Sequence, residues 1–311
     1  MTKKQKDIII ANPMYDVVFK LLMADKDIAR YFVGTVLDEE ITDIDFAPQE
    51  YSYEKEIRIE NQIKKISTIR LDFVATIRTK DDADKKVLIE IQQSPEPYDI
   101  FRFRTYIGEQ YTNKNNIGAK DDKLVTVMPI VAIYILGFKI EEVSQIAIKV
   151  KRSGYDIING GNVEIKDPIF EALTHDAYFI QTSRIKQEMY SDWDNCSELL
   201  KLLSVFEQNN FVDKKYFKKY PYPITNKIIE TMVNTLERIV ADPKTRRAMQ
   251  EEEFAALNLA FFQDVVARKD NALAQKDNTI AQKDNALAQK DNDLQKAYAR
   301  IAELEQRIGL N

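Results

Sequence analysis

The stretch from Ile66 to Gln93 constrains the chain more than any other. Its first part reads Ile69-Arg70-Leu71-Asp72-Phe73-Val74-Ala75-Thr76-Ile77-Arg78, and its last reads Lys86-Val87-Leu88-Ile89-Glu90-Ile91-Gln92. A polar run from Lys80 to Lys85 separates them. Side chains two apart in a strand share a face. Ile69, Leu71, Phe73, Ala75 and Ile77 therefore make one face of a first strand, and Val87, Ile89 and Ile91 make one face of a second. Glu90 and Gln92 point the same way, off that apolar face. If the strands are neighbours with their apolar faces aligned, Asp72 joins them. Acids set among strand hydrophobics are costly when unpaired, so their presence asks for a chemical reason.

Metal-dependent chemistry on phosphate is one. Mg2+ takes hard oxygen ligands, often one or two carboxylates with water and substrate completing the shell. Asp72 and Glu90 would give a rigid half-site on paired strands, and the backbone carbonyl of Ile91 a third protein ligand. Such a metal lowers the pKa of a bound water and neutralises charge on the phosphoryl group. Mn2+ or Ca2+ would satisfy the same donors.

The pattern resembles the PD-(D/E)xK nuclease superfamily, in which an Asp precedes a strand carrying (D/E)-x-K. More closely it is similar to the Rpn group, the recombination-promoting nucleases also called putative transposases. Asn12-Pro13-Met14-Tyr15-Asp16-Val17-Val18-Phe19-Lys20-Leu21-Leu22 resembles that group's opening N-P-x-x-D-x-x-F-K-x-L-[LF] helix. Glu90-Ile91-Gln92-Gln93-Ser94 resembles its E-x-Q-x-[ST] strand end, and Arg102-Phe103-Arg104-Thr105-Tyr106 its R-x-x-x-Y helix. The resemblance covers about residues 10–185. It implies a restriction-endonuclease-like α/β fold, with a mixed sheet flanked by helices, and a DNA endonuclease linked to recombination or mobile elements. Catalysis would fall to Asp72, Glu90, Gln92 and Asp16. The Lys of E-x-K is here Gln92, which orients water or a phosphate oxygen but supplies no positive charge.

DNA as partner needs local positive charge, since the 311-residue chain carries a formal net charge of −5. Arg58, Lys64, Lys65, Arg70, Arg78, Lys80, Arg102 and Arg104 flank the candidate site in sequence. Each is either part of a phosphate surface or ordinary solvated charge. A single cysteine, Cys196, excludes an internal disulfide and suggests a reducing compartment. A single histidine, His175, argues against a His-rich zinc site. No apolar run reaches the roughly 18–20 residues of a membrane span. Ile8-Ile9-Ile10-Ala11 behind Lys3, Lys4 and Lys6 is too short for a signal-peptide core. These features point to a cytoplasmic protein.

In chain order, residues 1–11 read as a loose arm. Asn12-Pro13 reads as a helix N-cap followed by its first residue. Asp16 falls in the first turn, where it either answers the helix dipole or lends a carboxylate to the metal. Lys20, one turn on, either pairs with Asp16 or touches phosphate. Residues 41–60 read as one or two strands, on which Glu54 and Glu56 are rival ligands or surface acids. Ser94-Pro95 opens a helix over roughly 96–114, with Ile100, Phe103, Ile107 and Tyr111 toward the core. On another stripe, Arg102 and Tyr106 either grip phosphate or, for Arg102, pair with an acid such as Glu90. Ile130–Leu136 is a continuous apolar run, as in a strand covered on both faces. Ile146–Val150 and Tyr178–Gln181 are further strands.

From Ser197 the texture turns helical. Residues 1–190 thus read as the nuclease-like domain, 191–263 as an all-α region, and 264–311 as a long C-terminal heptad-repeat helix. In that tail Lys-Asp-Asn recurs at Lys269, Lys276, Lys283 and Lys290, and Leu273, Ile280, Leu287, Leu294, Ile301 and Ile308 stay in register. A sustained period of seven suggests coiled-coil tendency, although the second core position is Lys until Ala297 and Leu304. The tail would join copies of the chain, stand as a solvated helix, or form a loose array.

Three readings follow: a metal-dependent DNA endonuclease; a nuclease-fold module that binds DNA or a partner protein without cutting; and a scaffold built on the tail. The third leaves Asp72 and Glu90 among strand hydrophobics unexplained.

Overall fold

The computed structural model describes residues 8–46, 54–59, 62–67, 73–81, 83–93, 97–120, 124–164, 167–224 and 226–309. The chain opens with β1 (Ile8–Ala11), α1 (Asp16–Met23), α2 (Lys26–Leu37) and β2 (Ile41–Phe46). The hairpin β3 (Glu54–Ile59) and β4 (Gln62–Ser67) follows, then β5 (Phe73–Thr79), β6 (Asp84–Gln92) and α3 (Pro97–Thr112). Next come β7 (Ile117–Lys120), β8 (Leu124–Val127), β9 (Ile130–Leu136), β10 (Ala147–Val150), β11 (Gly154–Tyr155), β12 (Asn162–Val163), α4 (Pro168–Leu173) and β13 (Asp176–Gln181). After short 3-10 turns the chain ends with α5 (Glu198–Leu203), β14 (Phe211–Asp213), β15 (Phe217–Tyr220), α6 (Lys227–Val240) and α7 (Pro243–Gly309). Two units result, Met1–Gln250 and Glu251–Asn311, and the boundary falls within α7.

The first unit is built on a six-stranded sheet in the order β10-β13-β9-β6-β5-β2. β6, β9 and β13 run parallel, and β10, β5 and β2 are antiparallel to their neighbours. The expected α/β architecture, a mixed sheet with helices on it, is therefore present. Alternation divides its faces as the sequence requires. Phe73, Ala75, Ile77, Val87, Ile89 and Ile91 face a large core shared with α1, α2, α5 and α6. Val74, Leu88 and Ala132 face a smaller one, covered by Phe103, Tyr106 and Ile107 of α3. Ile130–Leu136 is sheltered on both faces, as its unbroken apolar run implied.

Phe19 of α1 stands at the centre of the larger core, its ring 5.9 Å from Phe32, 6.2 Å from Phe73 and 6.3 Å from Phe206. One aromatic side chain thus ties α1 to α2, to the sheet and to the chain near residue 206. α2 starts on Asp25, whose carboxylate accepts the Asp27 and Ile28 amides at 2.9 and 3.3 Å.

Two sequence expectations are corrected. Residues 8–11 are not a loose arm: they pair antiparallel with β15, and Ile10 and Ala11 are buried. The apolar run finds its partner far along the chain, Ile8 against Tyr220 and Ala11 against Phe217, which no local pattern signals. Asn12-Pro13 does not start α1, which begins at Asp16. Asn12 is instead buried, accepting the Met14 amide and donating to Gln208 Oε1 and the Lys215 carbonyl. Its side chain is spent on tertiary contacts instead of capping.

The region beyond residue 190 is helical, with one addition: the hairpin β14–β15, which forms a three-stranded sheet with β1. α7 opens on Asp242, which accepts from the Lys244 and Thr245 amides, with Pro243 where its missing N–H costs nothing. In the second unit the helix runs on unbroken through the repeats to Gly309. Among the described residues, no helix is long and apolar enough to cross a membrane.

Candidate functional site

β6 carries the candidate residues Glu90 and Gln92. Its even positions, Lys86, Leu88, Glu90 and Gln92, turn from the large core toward the α3 side, as the alternation of Val87, Ile89 and Ile91 demands. Glu90 is 1% exposed and Gln92 7%. Asp72 lies outside the described residues; the residue after it, Phe73, pairs with Ile89, the residue before Glu90. On the other side of β6 the register sets Glu90 beside Tyr134 and Gln92 beside Leu136.

Tyr134 was not found from sequence, although a lone hydroxyl in the aliphatic run Ile130–Leu136 is a usable signal. Its ring stacks on Phe179 at 4.7 Å and meets Phe103 of α3 at 4.1 Å. Burial pushes the Tyr134 hydroxyl well above the usual phenol range, and the Glu90 carboxylate adds to this. The phenol therefore stays protonated next to the acid and is available as a donor. Tyr106, 2% exposed, sits in the same small core. It belongs to the packed face of α3, together with Phe103 and Ile107. Arg102 is one turn earlier on α3, and its side chain lies outside the described residues.

The end of the sheet is tightly tied. The Gly137 amide donates to the Gln92 carbonyl at 2.7 Å, the Gln93 amide side chain donates to the Met14 carbonyl at 3.0 Å, and the Thr182 hydroxyl donates to the Leu136 carbonyl at 2.9 Å. A Cβ on Gly137 would stand 3.0 Å from the Gln93 oxygen and 3.1 Å from its Cα, so only glycine lets the ends of β6 and β9 approach this closely. These bonds hold the start of α1 at the same end of the sheet as Glu90 and Gln92. Carboxyl ends of parallel strands are where open α/β sheets commonly bind ligands.

Asp16 and Lys20 are near this end, but α1 packs on the opposite face of the sheet from Glu90. They pair with each other at 2.6 Å and are partly exposed. Of the two roles open to Lys20, the structure shows this pairing. Ile91 puts its side chain in the large core. Glu54 and Glu56 lie on β3, which pairs only with β4 among the described residues and stands apart from the six-stranded sheet.

Two of the flanking cations, Arg78 and Lys80, are paired away from Glu90. Arg78 pairs with Asp84 at 2.9 Å and Lys80 with Glu40 at 2.8 Å. Arg78 lies opposite Asp84, six positions along β6 from Glu90, or roughly 20 Å at strand rise. Lys86 is a closer cation on the same face as Glu90, a second residue that sequence reasoning passed over. It is buried, donates to Thr76 Oγ1 at 2.8 Å, and burial lowers its pKa against the pull of Asp45. His175 takes no part: its Nδ1 meets the Tyr111 hydroxyl at 2.9 Å, and burial lowers its pKa.

Among the described residues, no three His, Cys, Asp or Glu side chains converge as a metal-binding group. Glu90 does offer what a hard cation requires, a carboxylate held rigidly on a central strand in a nearly dry setting. A set made of Glu90, the Ile91 carbonyl and Asp72 is all oxygen and suits Mg2+ or Mn2+.

No curated protein and no solved structure matches this chain. Residues 13–135, from the turn before α1 to the end of β9, match the family described as "Putative transposase, YhgA-like", the family that the sequence motifs resemble, and the match spans every candidate site residue.

Proposed function

We infer that the chain is a metal-dependent DNA endonuclease, hydrolysing phosphodiester bonds in the recombination or movement of DNA. The observation that carries this reading is Glu90: a carboxylate with 1% exposure on a central strand, next to the partly buried phenol of Tyr134, at the carboxyl end of the sheet. Burying a charge there costs several kcal/mol by order of magnitude, which a purely structural sheet avoids with an apolar residue.

Asp72, Glu90 and the Ile91 carbonyl are the proposed metal ligands, with Mg2+ as the ordinary ion. When bound, the ion supplies charge neutralisation at the phosphate and a more acidic water. Gln92, one strand repeat beyond Glu90, orients that water or a phosphate oxygen by hydrogen bonding. Tyr134 steadies the Glu90 carboxylate. Arg102 grips the phosphate in bidentate fashion, Tyr106 secures the helix that carries it, and Lys20, kept in place by Asp16, gives a second cation at the end of the sheet. A cytoplasmic setting, where DNA and free Mg2+ coexist, goes with this activity.

A second reading, a nuclease fold that binds DNA or a partner protein without cutting, is favoured by Gln92 at the superfamily's lysine position and by the neutralised state of Arg78 and Lys80. Plasmid nicking by purified protein separates the two. Cutting with Mg2+ or Mn2+, abolished by EDTA and by Asp72→Ala, supports the endonuclease. DNA retention without cutting under every metal establishes the binding module.

A further inference from the structure

The second unit leaves an apolar line uncovered. Leu273, Ile280, Leu287, Leu294, Ile301 and Ile308 recur every seven residues on one unbroken helix, each between 51% and 75% exposed. The charges of the repeats follow the same period. Lysines stand at 269, 276, 283 and 290, and an aspartate follows each at 270, 277, 284 and 291. In a helix of 3.5–3.6 residues per turn, a residue three after or four before a leucine lies about 50° to one side of it. A residue four after or three before lies about 50° to the other. The lysines therefore form one rail, the aspartates another, and the leucine ridge runs between them.

Neither rail is satisfied by its own helix. Opposite charges on a helix support each other at spacings of three or four. Between the two rails the neighbouring lysine-to-aspartate spacings are one, six and eight; Asp293, three after Lys290, stands on neither rail. Ion pairs at the favourable spacings occur just outside the repeats, at Arg268–Asp264 and Arg300–Glu303. Among the described residues, none joins the lysines and aspartates of the repeats.

We propose that this face binds the same face of a second copy of the chain, with the two helices parallel and in register. The charge pattern selects both the occupant and its direction. A twofold axis along the helices sets each lysine rail against the partner's aspartate rail on both sides of the leucine seam. An antiparallel pair sets lysine on lysine and aspartate on aspartate. Toward the C-terminal end the lysine rail becomes Ala297 and Leu304, and the aspartate rail becomes Tyr298 and then Glu305. The seam therefore widens into an apolar clasp where the repeats stop, and that clasp fixes the register that the repeats alone leave free to slip by seven.

The full-length protein tests this by sedimentation at micromolar concentration. The wild type is expected to be a dimer that weakens as salt rises. Lys276→Asp/Lys283→Asp/Lys290→Asp is expected to be monomeric, as is Asp277→Lys/Asp284→Lys/Asp291→Lys, and mixing the two variants is expected to restore a one-to-one dimer. That restoration shows that both variants are folded. In a Cys196→Ser background, Ile301→Cys treated with a mild thiol oxidant such as diamide, which takes up the two electrons and two protons, is expected to cross-link as a disulfide between copies. A monomeric wild type, or a dimer that survives the Lys→Asp changes, overturns the proposal; failure of Ile301→Cys to cross-link within a dimer overturns the parallel pairing.

Discussion

Lys218 offers the most quantitative prediction. It sits on β15 opposite Ile10 of β1, 2% exposed, and its ammonium donates to the Glu207 carbonyl. The Glu207 carboxylate is also buried and accepts from the Tyr222 hydroxyl and the Asn210 amide. Burial pushes the Lys218 pKa down to about 7, against the opposing pull of Glu207. The unfolded chain has an ordinary lysine and binds more protons between pH 7 and 10, so stability rises with pH through that window. One proton has a maximum slope of about 1.4 kcal/mol per pH unit. With half the folded-state proton already lost at pH 7, about 2 kcal/mol is gained between pH 7 and pH 9. Above pH 10 the sign reverses, because burial raises the hydroxyl pKa values of Tyr190, Tyr220 and Tyr222 in the folded state. Lys218→Met fills the same volume without a charge. Urea unfolding at pH 7, 8 and 9 should show the wild type gaining stability, and Lys218→Met losing most of that slope while matching or exceeding the wild type at pH 7. A flat wild-type profile, or a slope that persists in the variant, refutes the reasoning.

Other perturbations probe the site and its supports. Gly137→Ala forces a methyl against the Gln93 backbone at 3.0 Å; a loss of about 1–3 kcal/mol in chemical unfolding, with weakened nuclease activity, is expected from parting the ends of β6 and β9. Asp16→Asn breaks a partly exposed ion pair, so the stability cost should stay within about 1 kcal/mol. A much larger fall in DNA cleavage would then mark Asp16 as part of the chemistry. His175, whose pKa burial lowers, contributes stability present above pH 6.5 that is lost as pH falls. His175→Phe should flatten the acid side of the stability profile, as read by thermal melts between pH 5 and 7.

Much of the central sheet was legible because alternation has a strict period of two. Val87, Ile89 and Ile91 against Leu88, Glu90 and Gln92 fixed which way the acid faces, and the structure follows it. Long apolar runs and helix-start signals placed β9 and α3 within a residue or two. What escaped was non-local. Ile8–Ala11 becomes a strand only because β15 receives it, and Asn12 forgoes a cap because Gln208 and Lys215 claim its amide. β14–β15 was masked by its neighbours, since Phe217-Lys218-Lys219-Tyr220 buries a lysine where an alternating pattern calls for an apolar side chain. At the site, sequence named Glu90 and Gln92 but not Tyr134, because partnership between β6 and β9 spans a helix and more than forty residues and is visible only in the register.

The central claim is that the Glu90 end of the sheet is a reactive centre. Its most direct test is the Mg2+-dependent plasmid cleavage rate of Glu90→Gln against wild type, with the unfolding midpoint measured on the same samples. The account predicts a loss of more than about 100-fold, in keeping with removal of a group that holds a catalytic metal, in a protein that remains folded. A folded Glu90→Gln protein that cuts within a few-fold of wild type would contradict it.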